Sequence, residues 1–265
     1  MDYRAKKHLG QNFLNNSNII AAIIAEAKVK VDDHVIEIGP GFGALTGEIL
    51  GITKSIEVIE YDKDLITPLY KKCHHLGAIN IHHQDILTVN FKNFYHRKKM
   101  RLIGNLPYNI ACLVLFYLVQ FNTYISDMYF MLQKEVVERI ISRKNSKNYG
   151  RLSIMMQYHF LCEGLLTISR EAFWPKPKVE SQMLRLIPFM KKPYIAKNYS
   201  LFRDIVRNVF QHRRKKLKNT LQLFVKNPEI LRNIPIDAGL RPENLSVADF
   251  VGLSNYLENY VCQPT

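Results

Sequence analysis

Short apolar runs bounded by turn residues recur through the first half of the chain, and stretches with helical spacing separate them. The apolar runs predict strands at residues 34–38, 55–60, 78–83, 101–104 and 127–132. Helices are predicted at residues 18–27 (with Ser17 as the N-cap), 44–50 and 64–72. One more helix begins at Ile110, and another follows the fifth strand and ends at Ile141. Strands that alternate with helices are typical of a parallel sheet covered on both faces.

The alternation of strands and helices then ends. Residues 152–160 predict a helix, and residues 163–169 and 182–188 predict two strands with no helix between them, which favours antiparallel pairing. The rest of the chain has only helical segments. We therefore expect an α/β domain over residues 1–190, with a mostly parallel sheet and an antiparallel last strand, followed by a small all-helical domain over residues 191–265.

Composition adds a strong charge imbalance. The chain carries 37 Lys and Arg against 23 Asp and Glu, a formal net charge of +14. Such an excess favours a phosphate backbone as the partner, with an anionic membrane surface as the alternative. The longest apolar stretch, residues 110–119, is shorter than the roughly 20 residues that span a bilayer. The basic, polar N-terminus lacks the apolar segment of a signal peptide. We expect a cytoplasmic protein without a membrane partner.

The cysteines and histidines argue against a metal centre. The four cysteines are scattered, with no C-x-x-C pair, which indicates reduced thiols in a cytosolic protein. The nine histidines are dispersed, and neighbours such as His74 and His75 do not share a face of a helix or strand. We therefore expect no metal.

A glycine-rich loop follows the first predicted strand. Gly39, Gly41 and Gly43 stand between this strand and the next helix, where glycine lets the backbone turn sharply and approach a ligand closely. With Ala44, the loop also satisfies the fingerprint of nicotinamide-binding enzymes. A tight turn without a ligand is a third interpretation.

Two acidic residues strengthen the ligand interpretation. Glu60 ends the second strand about 20 residues beyond the glycines, where a carboxylate accepts hydrogen bonds from ribose hydroxyls. Asp85 follows the third strand, where a carboxylate can bond the amino edge of adenine, although a turn or N-cap aspartate has the same pattern. Since the carboxyl ends of parallel strands share one edge, the loop and the two acids predict a nucleoside-binding crevice.

The segment Asn105-Leu106-Pro107-Tyr108 follows the fourth strand at the same edge. The exocyclic amine of adenine is a poor nucleophile because its lone pair is delocalised into the ring. The side-chain oxygen of Asn105 and the backbone carbonyl of Leu106 can accept its N–H bonds and aim its lone pair at a methyl donor. Pro107 would fix the backbone and Tyr108 would stack on the base. A proline turn with a core tyrosine is the alternative.

A stiff aromatic loop separates the last two predicted strands. Pro175 and Pro177 hold its backbone extended. Phe173 or Trp174 can cover the second face of an extruded base. A stiff connector with a buried aromatic ring explains the same pattern.

Four blocks together resemble one enzyme family. They are Lys7-x-Leu-Gly-Gln-Asn-Phe-Leu14, Glu37-Ile-Gly-Pro-Gly41, Asn105-Leu-Pro-Tyr108 and Phe173-x-Pro-x-Pro-x-Val-x-Ser181. In order and spacing they are similar to the ribosomal RNA adenine dimethyltransferases, above all the small-subunit type, across essentially the whole chain. The resemblance implies a Rossmann-like methyltransferase domain with a small helical C-terminal domain. It also implies that S-adenosylmethionine donates two methyl groups to N6 of each of two adjacent adenosines, in a hairpin loop near the 3′ end of small-subunit rRNA.

The resemblance also assigns site residues. Catalytic positions would be Asn105, Leu106, Pro107, Tyr108 and Phe173. Cofactor contacts would come from Asn12, Leu14, Gly39 (toward the methionine portion), Gly41, Glu60 (ribose), Asp85 (adenine) and Asn105. The implied partner is small-subunit rRNA or a precursor of the small subunit, and the implied protein is a monomer.

The basic excess is concentrated in three places. One opens the predicted helical domain and contains Arg213, Arg214, Lys215 and Lys216, which we expect to contact RNA phosphates. The others are residues 92–101 and a group made of Arg139, Arg143, Lys144 and Lys147. A solvated helix face would explain such charge runs without RNA.

Three other functions fit parts of the sequence. A methyltransferase of the Erm type would act on one adenine of large-subunit rRNA and confer antibiotic resistance, but Leu106 and the N-terminal block favour the small-subunit type. A non-catalytic nucleic-acid-binding relative would not need an intact motif at residues 105–108. A nicotinamide dehydrogenase is permitted by the glycine loop, but it leaves the charge unexplained and would need a hydride-transfer motif that is not evident.

Overall fold

The structure, a computed structural model, describes residues 3–225 and 227–260. The strands in these residues are β1 (Phe13–Leu14), β2 (His34–Ile38), β3 (Ser55–Glu60), β4 (Ala78–His83), β5 (Met100–Asn105), β6 (Ile125–Gln133), β7 (Phe160–Ile168), β8 (Phe173–Trp174) and β9 (Ser181–Pro188). The large sheet has the order β4-β3-β2-β5-β6-β9-β7, and β1 pairs with β8 in a separate two-stranded sheet.

The centre of the large sheet is parallel. β2 pairs with β3 and β5, β3 pairs with β4, and β5 pairs with β6, all in parallel register. Residues 35–38 of β2 and 100–104 of β5 are buried, as expected for central strands covered on both faces. The five strands predicted in the first half of the chain are confirmed, with ends that differ by at most two residues.

The far side of the sheet reverses direction. β9 runs antiparallel to β6, with Tyr129 opposite Arg185, and β7 lies beside β9 at the edge. This arrangement confirms the predicted mostly parallel sheet with an antiparallel last strand.

The α-helices of the described residues are α1 (Ser17–Ala27), α2 (Ala44–Thr53), α3 (Lys63–Cys73), α4 (Ala111–Leu118), α5 (Lys134–Ile141), α6 (Arg151–His159), α7 (Tyr199–Gln211), α8 (Leu217–Leu221), α9 (Pro228–Arg232) and α10 (Val247–Leu257). The predicted N-cap of α1 was wrong. Asn16 caps this helix by accepting the Ile19 N–H at 3.1 Å, and Ser17 is already helical. The amide oxygen of asparagine caps a helix as well as the hydroxyl of serine does, so the sequence allows either residue as the cap. No helix in the described part of the chain is both long enough and apolar enough to cross a bilayer.

The chain divides into two compact units. The first contains the described residues up to Val137 together with Leu161–Pro188, and it carries the parallel strands and the two-stranded sheet. The second contains Glu138–Phe160 and the described residues from Phe189 onward. This second unit is therefore discontinuous in sequence, and it includes α6, a helix that lies outside the C-terminal segment 191–265 expected from the pattern.

Aromatic packing explains why α6 belongs to the second unit. Tyr158 of α6 packs on Phe202 of α7, with ring centroids 4.7 Å apart. Tyr149, just before α6, packs on Phe210 with ring centroids 6.3 Å apart. The Tyr149 hydroxyl also donates to the Leu245 carbonyl at 2.8 Å, which satisfies a polar group in a buried position.

Candidate active site

Four parallel strands of the first unit end at one edge of the large sheet and open onto a cavity of about 1080 Å³. Its walls are the glycine loop after β2, the end of β3, the turn after β4 and the segment after β5. Residues 8–15 form a further wall. The cofactor residues expected from the sequence all line this cavity, namely Asn12, Leu14, Gly39, Gly41, Glu60, Asp85 and Asn105.

The glycine loop needs glycine for two physical reasons. Gly39, Gly41 and Gly43 have φ angles of +66°, +57° and +72°, a backbone conformation that other residues rarely adopt. A Cβ on Gly41 would also lie 2.9 Å from the Phe13 ring. The loop thus makes its turn while the N-terminal segment packs directly against it.

Glu60 closes β3 at the cavity and is only 6% exposed. Its Oε2 accepts the Gly41 N–H at 3.2 Å, and its Oε1 accepts the Asp62 N–H at 2.8 Å. Burial raises the pKa of Glu60, and these two N–H bonds oppose that rise. Each carboxylate oxygen keeps a further lone pair, so the group can still accept bonds from a pair of ligand hydroxyls.

The sequence assigns no separate role to Glu37, which lies in the same motif and also lines the cavity. Its side chain is 2% exposed, and Thr46 Oγ1 donates to its Oε2 at 2.6 Å. Burial raises the pKa of Glu37 to about 7, and the nearby Glu60 charge adds to the rise while the Thr46 bond opposes it. Glu37 is thus a carboxyl that is partly neutral near physiological pH.

Asp85 satisfies both interpretations of the sequence. Its Oδ1 accepts the Leu87 N–H at 2.9 Å and caps a short 3₁₀ helix, Ile86–Thr88. The residue is also exposed and lines the cavity. The cap holds the carboxylate at a fixed place on the cavity wall.

One hydrogen bond fixes the orientation of the Asn105 amide. Its Nδ2 donates to the backbone carbonyl of Asn12 at 2.7 Å. Because a carbonyl can only accept, the amide nitrogen must face Asn12, and Oδ1 becomes the acceptor that Asn105 offers to a ligand.

The residues around Asn105 form a rigid turn between β5 and α4. A Cβ on Gly104 would lie 2.4 Å from the Ile38 carbonyl oxygen, so only glycine allows β5 to approach β2 this closely. Leu106 is buried, and its N–H donates to the Met131 carbonyl at 3.2 Å. The Pro107 carbonyl accepts the Ile110 N–H at 3.1 Å, which closes the turn.

Tyr108 stands beside this turn and is half-buried. Its hydroxyl and Ser181 Oγ lie 2.6 Å apart, within hydrogen-bonding distance. Burial raises the pKa of Tyr108, with the Ser181 bond opposing the rise, so the phenol stays neutral at physiological pH. Ser181 belongs to the last of the four sequence blocks, but no pattern in the sequence pairs it with Tyr108.

Phe173 and Trp174 form β8, opposite Leu14 and Phe13 of β1. Phe173 is 3% exposed and packs in the core with Leu14, rather than lining the cavity. Trp174 is 48% exposed and does line the cavity, although its ring stacks on Phe13 at 6.2 Å between centroids. Phe173, the ring predicted at the catalytic site, thus does not line the cavity, but its cross-strand partner Leu14 does.

Residues 3–14, called the arm below, are anchored by Asp62, which the sequence did not single out. The Asp62 side chain accepts bonds from the Tyr3 hydroxyl at 2.7 Å, Lys6 Nζ at 2.6 Å and Gln11 Nε2 at 2.8 Å. Lys6 Nζ also reaches Asp64 at 2.6 Å. The only sequence signal at Asp62 is its place as the N-cap of α3, since its partners lie more than 50 residues away in the chain.

The predicted RNA-binding residues lie in the second unit and differ among themselves. Arg214, Lys215 and Lys216 are exposed. Arg213 is half-buried, and its Nε donates to Glu243 Oε2 at 2.7 Å. Its Nη2 donates to the Ser146 carbonyl at 3.3 Å. Arg213 is therefore engaged within the protein, whereas its three neighbours face solvent.

Comparison with known proteins identifies the family. Residues 3–259 match the family described as ribosomal RNA adenine dimethylase. The chain belongs to this family. Among the described residues, no group of three or more His, Cys, Asp or Glu side chains is placed to hold a metal ion. As a member of the ribosomal RNA adenine dimethylase family, the protein is a methyltransferase with S-adenosylmethionine as its methyl donor.

Individual relatives in this family agree with the assignment. Ribosomal RNA small subunit methyltransferase A from Francisella tularensis subsp. novicida (strain U112) is 48% identical over 257 residues, which are 96% of this chain and 98% of the relative. The protein of the same name from Francisella tularensis subsp. tularensis (strain WY96-3418) is 47% identical over the same shares. The predicted adenine dimethyltransferase is confirmed, and the nicotinamide dehydrogenase alternative is wrong.

Solved structures agree with the fold. A dimethyladenosine transferase from Plasmodium falciparum is 26% identical, with a TM-score of 0.77 over 91% of this chain and 95% of that chain. The 23S rRNA methyltransferase ErmE is 22% identical, with a TM-score of 0.70 over 93% of this chain and 99% of that chain. The likeness to ErmE shows a shared fold alone, so it does not choose between rRNA targets.

Proposed function

We propose that this protein dimethylates N6 of two adjacent adenosines in a hairpin loop near the 3′ end of small-subunit rRNA, as a step in ribosome biogenesis. The observation that carries the proposal is the fixed Asn105 amide, which offers Oδ1 as an acceptor at the edge of the cavity. The 47–48% identity to proteins named for the small subunit supports this target over the large subunit. We also propose that the protein acts as a cytoplasmic monomer.

The cavity residues fit S-adenosylmethionine. When bound, this cofactor supplies a methyl group activated by a sulfonium centre. Glu60 offers carboxylate oxygens to ribose hydroxyls, and Asp85 offers one to the adenine amino group. The glycine loop with Gly39 and Gly41 lets the backbone approach the methionine portion, and Asn12 and Leu14 complete the wall on the arm side.

The target amine is activated by position rather than by a strong base. Asn105 Oδ1 and the Leu106 carbonyl accept its two N–H bonds, which favours the pyramidal form and directs the lone pair toward the methyl donor. Pro107 keeps the Leu106 carbonyl in place. No strong base is needed because the amine loses a proton readily once it is alkylated.

Aromatic rings hold the target base. Tyr108 stacks on one face, and Phe173 covers the other face after the base has left its stack. Since Phe173 is buried beside Leu14 in the structure, its ring must become accessible before it can cover the base. Outside the site, Arg214, Lys215 and Lys216 contact RNA phosphates, and Arg213 supports them through its bond to Glu243.

The decisive experiment is methyl transfer from labelled S-adenosylmethionine to small ribosomal subunits that lack the modification, with large subunits in parallel. We expect the label as N6,N6-dimethyladenosine in small-subunit rRNA. Label in the large subunit alone would reassign the target to the Erm type. No label in either, despite cofactor binding, would leave a non-catalytic relative or a different RNA substrate.

A further inference from the structure

We infer that Asp62 is a positioning residue for methyl transfer, which holds the arm so that Asn12 keeps the Asn105 amide in its productive orientation. The inference rests on the proposed function of Asn105. Asp62 does not itself line the cavity, and its side chain acts through the arm.

The first step is the number of hydrogen bonds that the Asp62 carboxylate accepts. Both Asp62 oxygens are engaged: Oδ1 by Lys6 Nζ and by the Asp64 N–H at 3.1 Å, and Oδ2 by Tyr3 and Gln11. The residue is 3% exposed. Three separate arm side chains therefore converge on one nearly buried group.

The second step is that this carboxylate stays charged. Burial opposes its charge, but the bonds from Lys6, Tyr3 and the Asp64 N–H outweigh burial and lower the pKa of Asp62 to about 2. Charge-assisted hydrogen bonds are shorter and stronger than neutral ones. The anchor therefore keeps its strength throughout the physiological pH range.

The third step leads from the anchor to the reactive site. Gln11 links the parts of the arm, because its Oε1 accepts the Lys6 N–H at 2.7 Å and lies 2.9 Å from the Tyr3 hydroxyl oxygen, while its Nε2 donates to Asp62. The next residue, Asn12, presents the carbonyl that accepts from Asn105 Nδ2. If the arm moves, this carbonyl moves with it.

The fourth step is the chemical consequence. Without the Asn12 carbonyl, the Asn105 amide is free to rotate by half a turn. It would then present a donor instead of an acceptor to the adenine amine, whose own N–H groups are donors. Methyl transfer would slow although every catalytic side chain remained in the protein.

The test is Asp62→Asn with Asp64→Asn as its matched control. Asparagine keeps an oxygen to cap α3 but loses the charge and one acceptor for the arm. We expect kcat at saturating S-adenosylmethionine to fall roughly tenfold or more in D62N, as for a small misplacement of reacting groups. Amide hydrogen exchange over residues 3–14 should accelerate. Asp64 also contacts Lys6 but reaches neither Tyr3 nor Gln11, so D64N should keep turnover and arm exchange close to wild type.

Epistasis with Asn105 separates positioning from mere stability. If Asp62 acts through the Asn105 amide, D62N should reduce turnover no further in an N105A background. Losses that multiply in the double variant, or a D62N enzyme with wild-type turnover, would overturn the inference. Should D62N fail to fold, Tyr3→Phe removes the hydroxyl that contacts both Asp62 and Gln11 but keeps the ring. A turnover loss that vanishes in the N105A background supports the inference, and unchanged turnover overturns it.

The two proposals fail in different ways. If the wild-type protein transfers no methyl group to small subunits, the proposed function fails. Arm exchange in D62N and D64N does not require activity, so it reports on the anchor in either case. Equal exchange in both variants would overturn the anchor even if the proposed function stands.

Discussion

Glu37 and Glu60 lie on neighbouring strands and both line the cavity, yet their surroundings differ. Glu60 receives two backbone N–H bonds, which stabilise its charged form. Glu37 receives only the Thr46 hydroxyl among the described residues, and it is almost completely buried. The protein thus places a carboxylate with two backbone N–H bonds where ribose is expected, and a carboxyl without such bonds one strand away.

This difference predicts a pH-dependent stability. The folded state raises the pKa of Glu37 to about 7, so its contribution is fully present below its ordinary pKa and is lost as pH rises through about 7. Glu37→Gln, which can still accept from Thr46, should therefore gain stability relative to wild type between pH 4 and pH 8. The gain should be on the order of 3 kcal/mol at most. Urea unfolding at several pH values measures it, and parallel pH profiles for the two proteins would contradict it.

At this scale the sequence predicted residues whose chemistry and partners are local. Gly39, Glu60 and Asn105 stand at strand ends, and a parallel sheet brings strand ends together whatever the details of packing. Asp62 was missed because its role comes from an arm more than 50 residues away in the chain. Its local signal, an acid at a helix start, is shared by many residues with no functional role.

Among the elements, the two-stranded sheet of β1 and β8 links the arm to the aromatic loop. Each of its strands has two residues, too few to show any periodicity, so the sequence could not predict them. The central strands β2, β5 and β6 were predictable because burial on both faces leaves runs of apolar residues. The pairing of β1 with β8 places Phe173 against Leu14 and Trp174 against Phe13.

This sheet predicts different results for two neighbouring rings. Phe173→Leu should lower turnover on rRNA roughly tenfold, equivalent to the 1–3 kcal/mol of one stacking contact. Leucine keeps most of the buried volume, so Tm should change little. Trp174→Leu is the matched variant, and its loss should be smaller because that ring already stacks on Phe13. A larger loss in W174L would assign the base contact to the exposed ring.

For the whole molecule, some of the excess positive charge is paired within the protein and some faces solvent. The net charge of +14 indicates a phosphate partner, but it does not say which cations face it. The pattern grouped Arg213 with Arg214, Lys215 and Lys216, whereas the structure ties Arg213 to Glu243. Nothing in the local sequence distinguishes the paired arginine, since its partner lies 30 residues further on.

This distinction sharpens the RNA-binding prediction. Replacing Arg214, Lys215 and Lys216 with Gln should weaken rRNA binding and reduce the slope of log affinity against log salt by about 2, while cofactor affinity stays unchanged. A control with the same charge loss, K30Q/K54Q/K71Q, removes exposed lysines dispersed over the first unit. Binding measured at several salt concentrations decides: equal slopes for the two triple variants would remove this cluster from the RNA contact surface.

Because the second unit is discontinuous in sequence, its parts are synthesised at different times during translation. When synthesis reaches Pro188, every strand of the large sheet exists, but α6 still lacks α7 and α10, the helices it packs against. The buried side chains of α6 are therefore not fully covered until α7 and α10 have been made. A nascent chain therefore exposes apolar side chains of α6 in the middle of its sequence, and such transiently exposed surface favours aggregation. For the same reason, a catalytic fragment cannot be made by cutting the chain once: residues 138–160 would have to be excised as well.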